Sequence, residues 1–309
     1  MSEIVISEFV DQPAMELLSA EFDVLFDPDL YKNPEHLIAT CAQSRGLIVR
    51  NQTQVTAALL EQCQRLKVIG RLGVGLDNID MPACAKHNVQ VFAATGANAI
   101  SVAEYVIAGA LMLSRGVFFS TDRVSAGEWP RAELVGHEVY EMTLGLIGFG
   151  ATGQAVAKRA LGLEISVIAY DAAIASDDII WNTLSVRPVA FDQLVRESDI
   201  ISLHAPLIPE TQHIIDAAAL ASMKSEAMLI NAARGGLVDE AALVQALNNG
   251  KLGGAMLDVF ENEPLPANSH LTGVPNLILT PHIAGLTHEA NHRVSMMTAG
   301  NVAAALRAK

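Results

Sequence analysis

The chain has 309 residues, enough for two domains of ordinary size, and its 51% hydrophobic content fits a folded globular class rather than disorder. Acidic side chains outnumber basic ones, 34 to 20, for a net charge of -14 with no basic block. That excludes nucleic acid and anionic membrane surfaces as expected partners, because both need a concentrated positive face.

The N-terminal "MSEIVISEFVDQ" lacks the basic-then-apolar layout of a signal peptide. The longest apolar run of interest, "YVIAGALML" at 105–113, is short of the ~20 residues that span a bilayer, so a cytoplasmic protein is expected. Cys41, Cys63 and Cys84 form no CxxC pair and no set with histidines at ligand spacing, so they read as reduced buried thiols and no metal is expected.

Short apolar runs alternate with helical patterns along the whole chain, the signature of parallel sheets built from βαβ units. In chain order, a first series predicts strands at 4–9, 22–27, 46–50, 66–72 and 89–94. The stretch from "ISVAEYVIAGALMLSRGV" (100–117) to "TDRVSAGEWPR" (121–131) reads as a helix and a bulky polar connection, resembling a crossing between domains. A second series predicts strands at 144–149, 165–171, 199–205, 227–233, 254–260 and 277–281. The last run, "THEANHRVSMMTAGNVAAALRA", is helical and can pack on either domain.

The strongest local signal is "TLGLIGFGATGQAVAKRA", in which Gly148, Gly150 and Gly153 form GxGxxG between a strand and a helix. The first glycine permits the tight turn, the second lets a pyrophosphate approach the backbone, and the third allows close helix packing. Free N–H groups at the helix start favour phosphate. The next strand ends at Asp171, 18 positions after Gly153, where an acid is expected to accept from adenosine ribose hydroxyls. Ala172, Ala173 and Ile174 follow it and offer no cation for a 2′-phosphate, so NAD is expected rather than NADP.

Three polar groups then follow successive apolar strands: Arg234 after "LINAA", Glu263 after "AMLDVF" and His282 after "LILT". Each has a bland alternative: a solvated loop charge, a Glu-Pro turn, a structural histidine. Their convergence on one sheet edge beside a dinucleotide motif favours chemistry, because ligands of open parallel sheets bind at the C-terminal ends of strands.

With "RLGVGLDNIDMPA", "SVAEYVI", "GLIGFGATG", "SLHAPLIPETQHII", "LINAARGGLVDEAAL", "GAMLDVFENEPLP" and "LTPHIAG", the chain resembles the NAD-dependent D-isomer-specific 2-hydroxyacid dehydrogenases, which include phosphoglycerate dehydrogenase. The resemblance implies an α/β fold of two doubly wound parallel-sheet domains: a flavodoxin-like substrate domain (1–98 and 286–309) and a Rossmann-type NAD-binding domain (99–285), with a cleft between. It implies that His282 exchanges the proton of the substrate hydroxyl, a task suited to imidazole because its free pKa of about 6.5 allows either state near neutrality. Glu263 would fix its tautomer and stabilise the imidazolium, and Arg234 would bind the substrate carboxylate and polarise the reacting oxygen. Formate dehydrogenases of the same superfamily carry glutamine where this chain has Glu263, which favours 2-hydroxyacids.

The cofactor set implied is Gly148, Gly150, Ala151, Thr152, Gly153, Asp171, Pro206, Ala232 and Asp258, with Ala284 and Gly285 near the nicotinamide. His204 and His213 read as structural, since neither falls where the family places its acid/base. The resemblance also places the substrate carboxylate on backbone N–H groups of Val74 and Gly75, and turns the loops of Arg50 and Arg71 toward the cleft. A second anionic group on a small 2-hydroxyacid substrate is then expected, with Gln52 and Gln54 as neutral donors beside it. A group smaller or less charged than phosphate fits, a sulfonate among them. Phosphoglycerate is the enzymatic alternative, and an NAD(H)-sensing corepressor the alternative from another class. The family suggests a homodimer, with Trp129 as a candidate apolar anchor.

Overall fold

A computed structural model describes residues 2–308. In chain order the first elements are β1 (Ile4–Ile6), α1 (Gln12–Ser19), β2 (Val24–Phe26), α2 (Pro34–Cys41), β3 (Gly46–Val49), α3 (Ala57–Gln62), β4 (Val68–Arg71), α4 (Met81–Lys86) and β5 (Gln90–Ala93). There follow α5 (Ala99–Arg115), α6 (Thr121–Ser125), β6 (Thr143–Ile147), α7 (Ala151–Leu161), β7 (Ser166–Tyr170), α8 (Ile180–Thr183), β8 (Arg187–Pro188), α9 (Phe191–Glu197) and β9 (Ile200–Leu203). The last are α10 (Ala217–Ser222), β10 (Met228–Asn231), α11 (Glu240–Asn248), β11 (Gly254–Leu257), β12 (Leu277–Leu279) and α12 (His288–Arg307). No helix of the described residues is long and apolar enough to cross a membrane.

The chain divides into two compact units, Met1–Asn98 with Leu286–Lys309, and Ala99–Gly285. The N-terminal unit holds a five-stranded parallel sheet in the order β2-β1-β3-β4-β5. Its central strands are buried on both faces, which explains why "IVI" and "GLIV" carry no polar alternation. One face packs on α12, where Val294, Val302 and Leu306 join Ile4, Ile6, Ile48 and Val68 in one core. Gly70 makes this approach possible, because a Cβ there would lie 2.6 Å from Thr298 and Val302 side-chain carbons. The sequence left the last helix free to pack on either domain; its apolar stripe is spent here.

The central unit holds a seven-stranded parallel sheet in the order β12-β11-β10-β9-β6-β7-β8. Helix α5 is no connection between domains, as its sequence had suggested: Val102, Ala103, Val106 and Ala110 lie in the central unit's core with Leu146, Val156, Ile230 and Met256. An apolar helix of this kind is hidden by its own sheet. The edge strand β8 was not anticipated, since two residues, one of them proline, leave no periodicity to read.

Candidate active site

The order of the central sheet reverses at β6, which pairs with β7 on one side and β9 on the other. All its strands are parallel, so their C-terminal ends share one edge, and a reversal on that edge is where a doubly wound sheet opens to a ligand. Gly148 and Gly150 follow β6, Asp171 follows β7 and Pro206 follows β9. Ala232 and Arg234 follow β10, Asp258 follows β11 and His282 follows β12.

The glycine loop fits a dinucleotide. Gly148 has φ 96°, a conformation that disfavours any side chain, and a Cβ there would come within 2.6 Å of the His204 carbonyl carbon. At Gly153 a Cβ would come within 2.4 Å of the Gly148 carbonyl oxygen. A Cβ on Gly150 would meet nothing within 4 Å and would stand in open space at the start of α7. Helices α1, α2, α3, α4, α10, α11 and α12 each begin with a side-chain cap, whereas α7 begins at Gly150 with none, as do the shorter α6, α8 and α9. Its first-turn N–H groups, around exposed Ala151 and half-buried Thr152, have no side-chain cap and could serve an external anion.

Asp171 is tied to this loop: its carboxylate accepts from the N–H of Phe149 at 2.8 Å and of Ala173 at 2.9 Å. Pro206 is exposed and its carbonyl accepts from the Thr211 hydroxyl at 2.7 Å. His204 lies beneath the loop with Nε2 3.0 Å from the buried Ser202 hydroxyl. Desolvation pushes its imidazole down to about 4, although part of the residue still reaches solvent. It is the buried polar end that bears the cost. His213 is paired with Glu261 at 3.0 Å, and its backbone N–H donates to the Gly236 carbonyl at 2.8 Å.

On the other side of the reversal, the structure brings Glu263 and His282 together. His282 Nδ1 stands 2.7 Å from Glu263 Oε2, and the second Glu263 oxygen accepts from the Phe260 N–H at 3.0 Å. An ionised carboxylate has no proton to give, so it selects the Nδ1–H tautomer and leaves Nε2 of the neutral ring as a base. The side chains are 53% and 35% exposed, so the pair is reachable from solvent.

His282 itself has φ 52°, in the sparsely populated left-handed region. Asp258, 1% exposed, holds it there. Its carbonyl accepts from the His282 N–H at 2.8 Å, and its carboxylate accepts from the N–H groups of Ile283 and Ala284, both at 2.8 Å, and from the Thr280 hydroxyl at 2.6 Å. Since Thr280 spends its proton on Asp258, it must accept from the Tyr105 hydroxyl 2.6 Å away. Burial pushes Tyr105 up to about 12, so that donor stays protonated. Buried Ala284 and half-buried Gly285 complete the turn.

Arg234 stands one loop away on the same edge, with Nη1 donating to the Ala233 carbonyl at 2.6 Å. Its loop lies against the one after β11, because a Cβ at Gly235 would fall 1.9 Å from the Phe260 carbonyl carbon. Only glycine permits that backbone contact. Asp258 as a loop clamp, Thr280 and Tyr105 were not singled out from the sequence for this role. A threonine directly before the Pro-His pair was the available signal.

Arg50, Arg71, Val74 and Gly75 fall in the N-terminal unit, at the C-terminal ends of the paired strands β3 and β4. The Arg50 guanidinium lies over the Phe9 ring, 5.8 Å from its centroid, and Nη2 donates to Asn291 Oδ1 at 2.9 Å. Arg71 is folded over its own loop, Nη1 donating to the Leu72 carbonyl at 3.1 Å above Gly73. Val74 is 40% exposed, and among the described residues neither its N–H nor that of Gly75 has an acceptor.

An uncapped glycine loop between strand and helix and an acid-paired histidine, both at the C-terminal edge of one parallel sheet, are the features of a dinucleotide-dependent oxidoreductase. Residues 107–284 match the family model of the D-isomer specific 2-hydroxyacid dehydrogenase NAD binding domain. The chain is 50% identical over 306 residues, 99% of both chains, to an (S)-sulfolactate dehydrogenase of Chromohalobacter salexigens. It is 38% identical over 99% of its length to a D-3-phosphoglycerate dehydrogenase of Methanocaldococcus jannaschii, of which it spans 58%. A D-lactate dehydrogenase of Aquifex aeolicus, solved with NAD and lactic acid, superposes with a TM-score of 0.82 at 30% identity, covering 99% of this chain and 95% of that one. The chain belongs to the D-isomer-specific 2-hydroxyacid dehydrogenases, and is an NAD-dependent enzyme of that family.

Proposed function

We propose that the enzyme interconverts (S)-3-sulfolactate and 3-sulfopyruvate, with Arg234, Glu263 and His282 as its catalytic residues. The observation that carries the chemistry is the 2.7 Å Glu263–His282 pair. Gly148, Gly150, Ala151, Thr152, Gly153, Asp171, Pro206, Ala232, Asp258, Ala284 and Gly285 would hold NAD, which when bound supplies a two-electron acceptor. In oxidation the C2–O–H proton passes to His282 Nε2 as C2 gives up its hydride and the C2–O bond becomes a carbonyl. The resulting imidazolium is held by Glu263, and in reduction it returns the proton. Arg234 binds the carboxylate and the developing carbonyl oxygen through its planar donor fork.

The substrate proposal rests on two observations: full-length similarity to a sulfolactate dehydrogenase, and two arginines at adjacent strand ends of the N-terminal unit, the proposed substrate domain. Val74 and Gly75 offer N–H donors to the carboxylate, and Arg50 and Arg71 take the sulfonate. The configuration agrees: in lactate the carboxyl outranks the methyl, but in 3-sulfolactate the sulfur-bearing carbon outranks the carboxyl, so the D-type arrangement is named S. Initial rates with NAD and lactate, glycerate, 3-phosphoglycerate and each sulfolactate enantiomer test this. We expect kcat/KM for the S enantiomer to exceed every other by about tenfold or more, and His282→Gln to lose at least about a hundredfold in kcat. A preference for 3-phosphoglycerate would overturn the substrate, and NADH binding without turnover of any hydroxyacid would favour a sensor.

The functional form we infer is a cytoplasmic homodimer. Residues 117–140 expose Phe118, Phe119, Val124, Trp129, Val135 and Tyr140, an apolar surface suited to a second copy. Cys41, Cys63 and Cys84 are buried free thiols, as a reducing compartment favours.

A further inference from the structure

Four successive backbone N–H groups of the Arg50 loop point at one buried carboxylate. Glu8, two residues beyond the end of β1 and 4% exposed, accepts from Arg50 at 2.8 Å and Thr53 at 2.9 Å through Oε1. Through Oε2 it accepts from Gln52 at 3.0 Å and Asn51 at 3.2 Å. Runs of inward-facing N–H groups make concavities that bind anions, and here the protein's own side chain fills the concavity.

The opposite polarity is served by Asn78, 8% exposed, whose Nδ2 donates to the carbonyls of Thr53 at 2.6 Å and Arg50 at 3.2 Å. The Thr53 and Ser7 hydroxyls meet at 2.8 Å. Burial raises the Glu8 carboxyl, but the loop N–H groups outweigh it and hold the group below its ordinary range, so the acceptor remains charged at neutral pH. Within residues 50–53 the only charged side chain is that of Arg50, whose guanidinium is held outside the nest by Asn291 and Phe9.

We propose that Glu8 is a positioning residue for substrate recognition: its carboxylate occupies the anion nest of residues 50–53, locks the loop before any ligand arrives, and leaves the substrate's second anion to be read by the Arg50 side chain. This rests on the reading that the Arg50 loop faces that anion. Backbone donors committed inward cannot bind sulfonate, phosphate and carboxylate alike, so at this loop discrimination passes to the planar, oriented guanidinium of Arg50, with Arg71 at the neighbouring strand end. The uncharged amide of a Glu8→Gln variant would supply one oxygen for four donors and would turn its own N–H₂ toward two of them.

The test combines Glu8→Gln, Glu8→Asp and Arg50→Gln in the full chain. In Glu8→Gln, amide hydrogen exchange at 50–53 should accelerate about tenfold or more, the loss expected for a hydrogen bond to a charged acceptor. KM for 3-sulfolactate should rise by about tenfold while kcat changes less than about threefold and NADH affinity is retained. KM for lactate, which lacks the second anion, should move far less. Glu8→Asp keeps the charge with a shorter reach, should fall between the two, and carries the test alone if Glu8→Gln does not fold. Wild-type exchange rates, or faster exchange with KM for 3-sulfolactate unmoved, would overturn the proposal. If Arg50→Gln abolishes the preference for 3-sulfolactate over lactate and folded Glu8 variants retain it, Glu8 has no such role and the substrate reading stands. If neither changes that preference, the reading of the loop fails and the proposal fails with it.

Discussion

At the residue scale, the pairing of His282 with Glu263 makes a charge, and not only a hydrogen bond, the quantity to vary. Glu263→Gln keeps an oxygen acceptor for Nδ1–H and so keeps the tautomer, but removes the negative charge that, in the proposed mechanism, would meet an imidazolium formed during oxidation. We expect kcat to fall about 10- to 100-fold with little change in KM, and the fall in oxidation to be read from initial rates across pH. A variant with wild-type kcat would show that orientation alone is what Glu263 contributes. Both residues stood out in the sequence because each follows an apolar strand, buried β11 and half-exposed β12, in a chain that also carries a glycine loop. Asp258 was legible only as a cofactor contact. Its carboxylate bonds to residues 280, 283 and 284, a relation between loops that no spacing in one strand reveals. Glu8 escaped the rule that found Arg234, a polar residue past an apolar strand, because the first strand was drawn through residue 9 whereas β1 stops at Ile6.

At the element scale, the strand after which a residue falls decides what it does. Every strand but β8 was readable as an apolar run, because both faces of each parallel sheet are largely buried. Their C-terminal ends were drawn too long: the strand predicted at 144–149 stops at Ile147, and that at 254–260 stops at Leu257. The excess residues are buried but already in loops, as Phe149 and Phe260 are, so hydropathy cannot separate strand from turn there. Backbone conformation does separate them, and Gly148 is where it turns. Gly148→Ala would place a Cβ against the His204 carbonyl, in a conformation costing an alanine about 1–2 kcal/mol even without the clash. We expect NADH affinity, measured by fluorescence titration, to weaken about tenfold or more, with a lowered Tm. Unaltered affinity would mean that the loop does not carry the pyrophosphate.

At the scale of the whole molecule, the apolar surface of 117–140 stands out on a chain of net charge -14. Isolated acidic proteins repel one another, so association must come from local burial rather than from net charge. Phe119→Asp combined with Trp129→Asp should convert a dimer to single copies in sedimentation velocity at micromolar concentration. A dimer that persists in that variant would place the contact elsewhere. The sequence offered Trp129 as an anchor but carried no hint that residues around it would be left so open, since exposure depends on what the rest of the chain covers.

The helix that covers one face of the N-terminal sheet comes from residues 288–307, after all of Ala99–Gly285. On the ribosome, therefore, the strands of residues 4–93 emerge long before α12 can seal them, while the central unit acquires its own core from contiguous chain. Vectorial synthesis thus leaves the first-made unit to be finished last. Until then Ile4, Ile6, Ile48 and Val68 lie on an apolar sheet face covered only in part, by Ala14 and Leu18 of α1, of the kind that chaperones bind and that aggregation exploits.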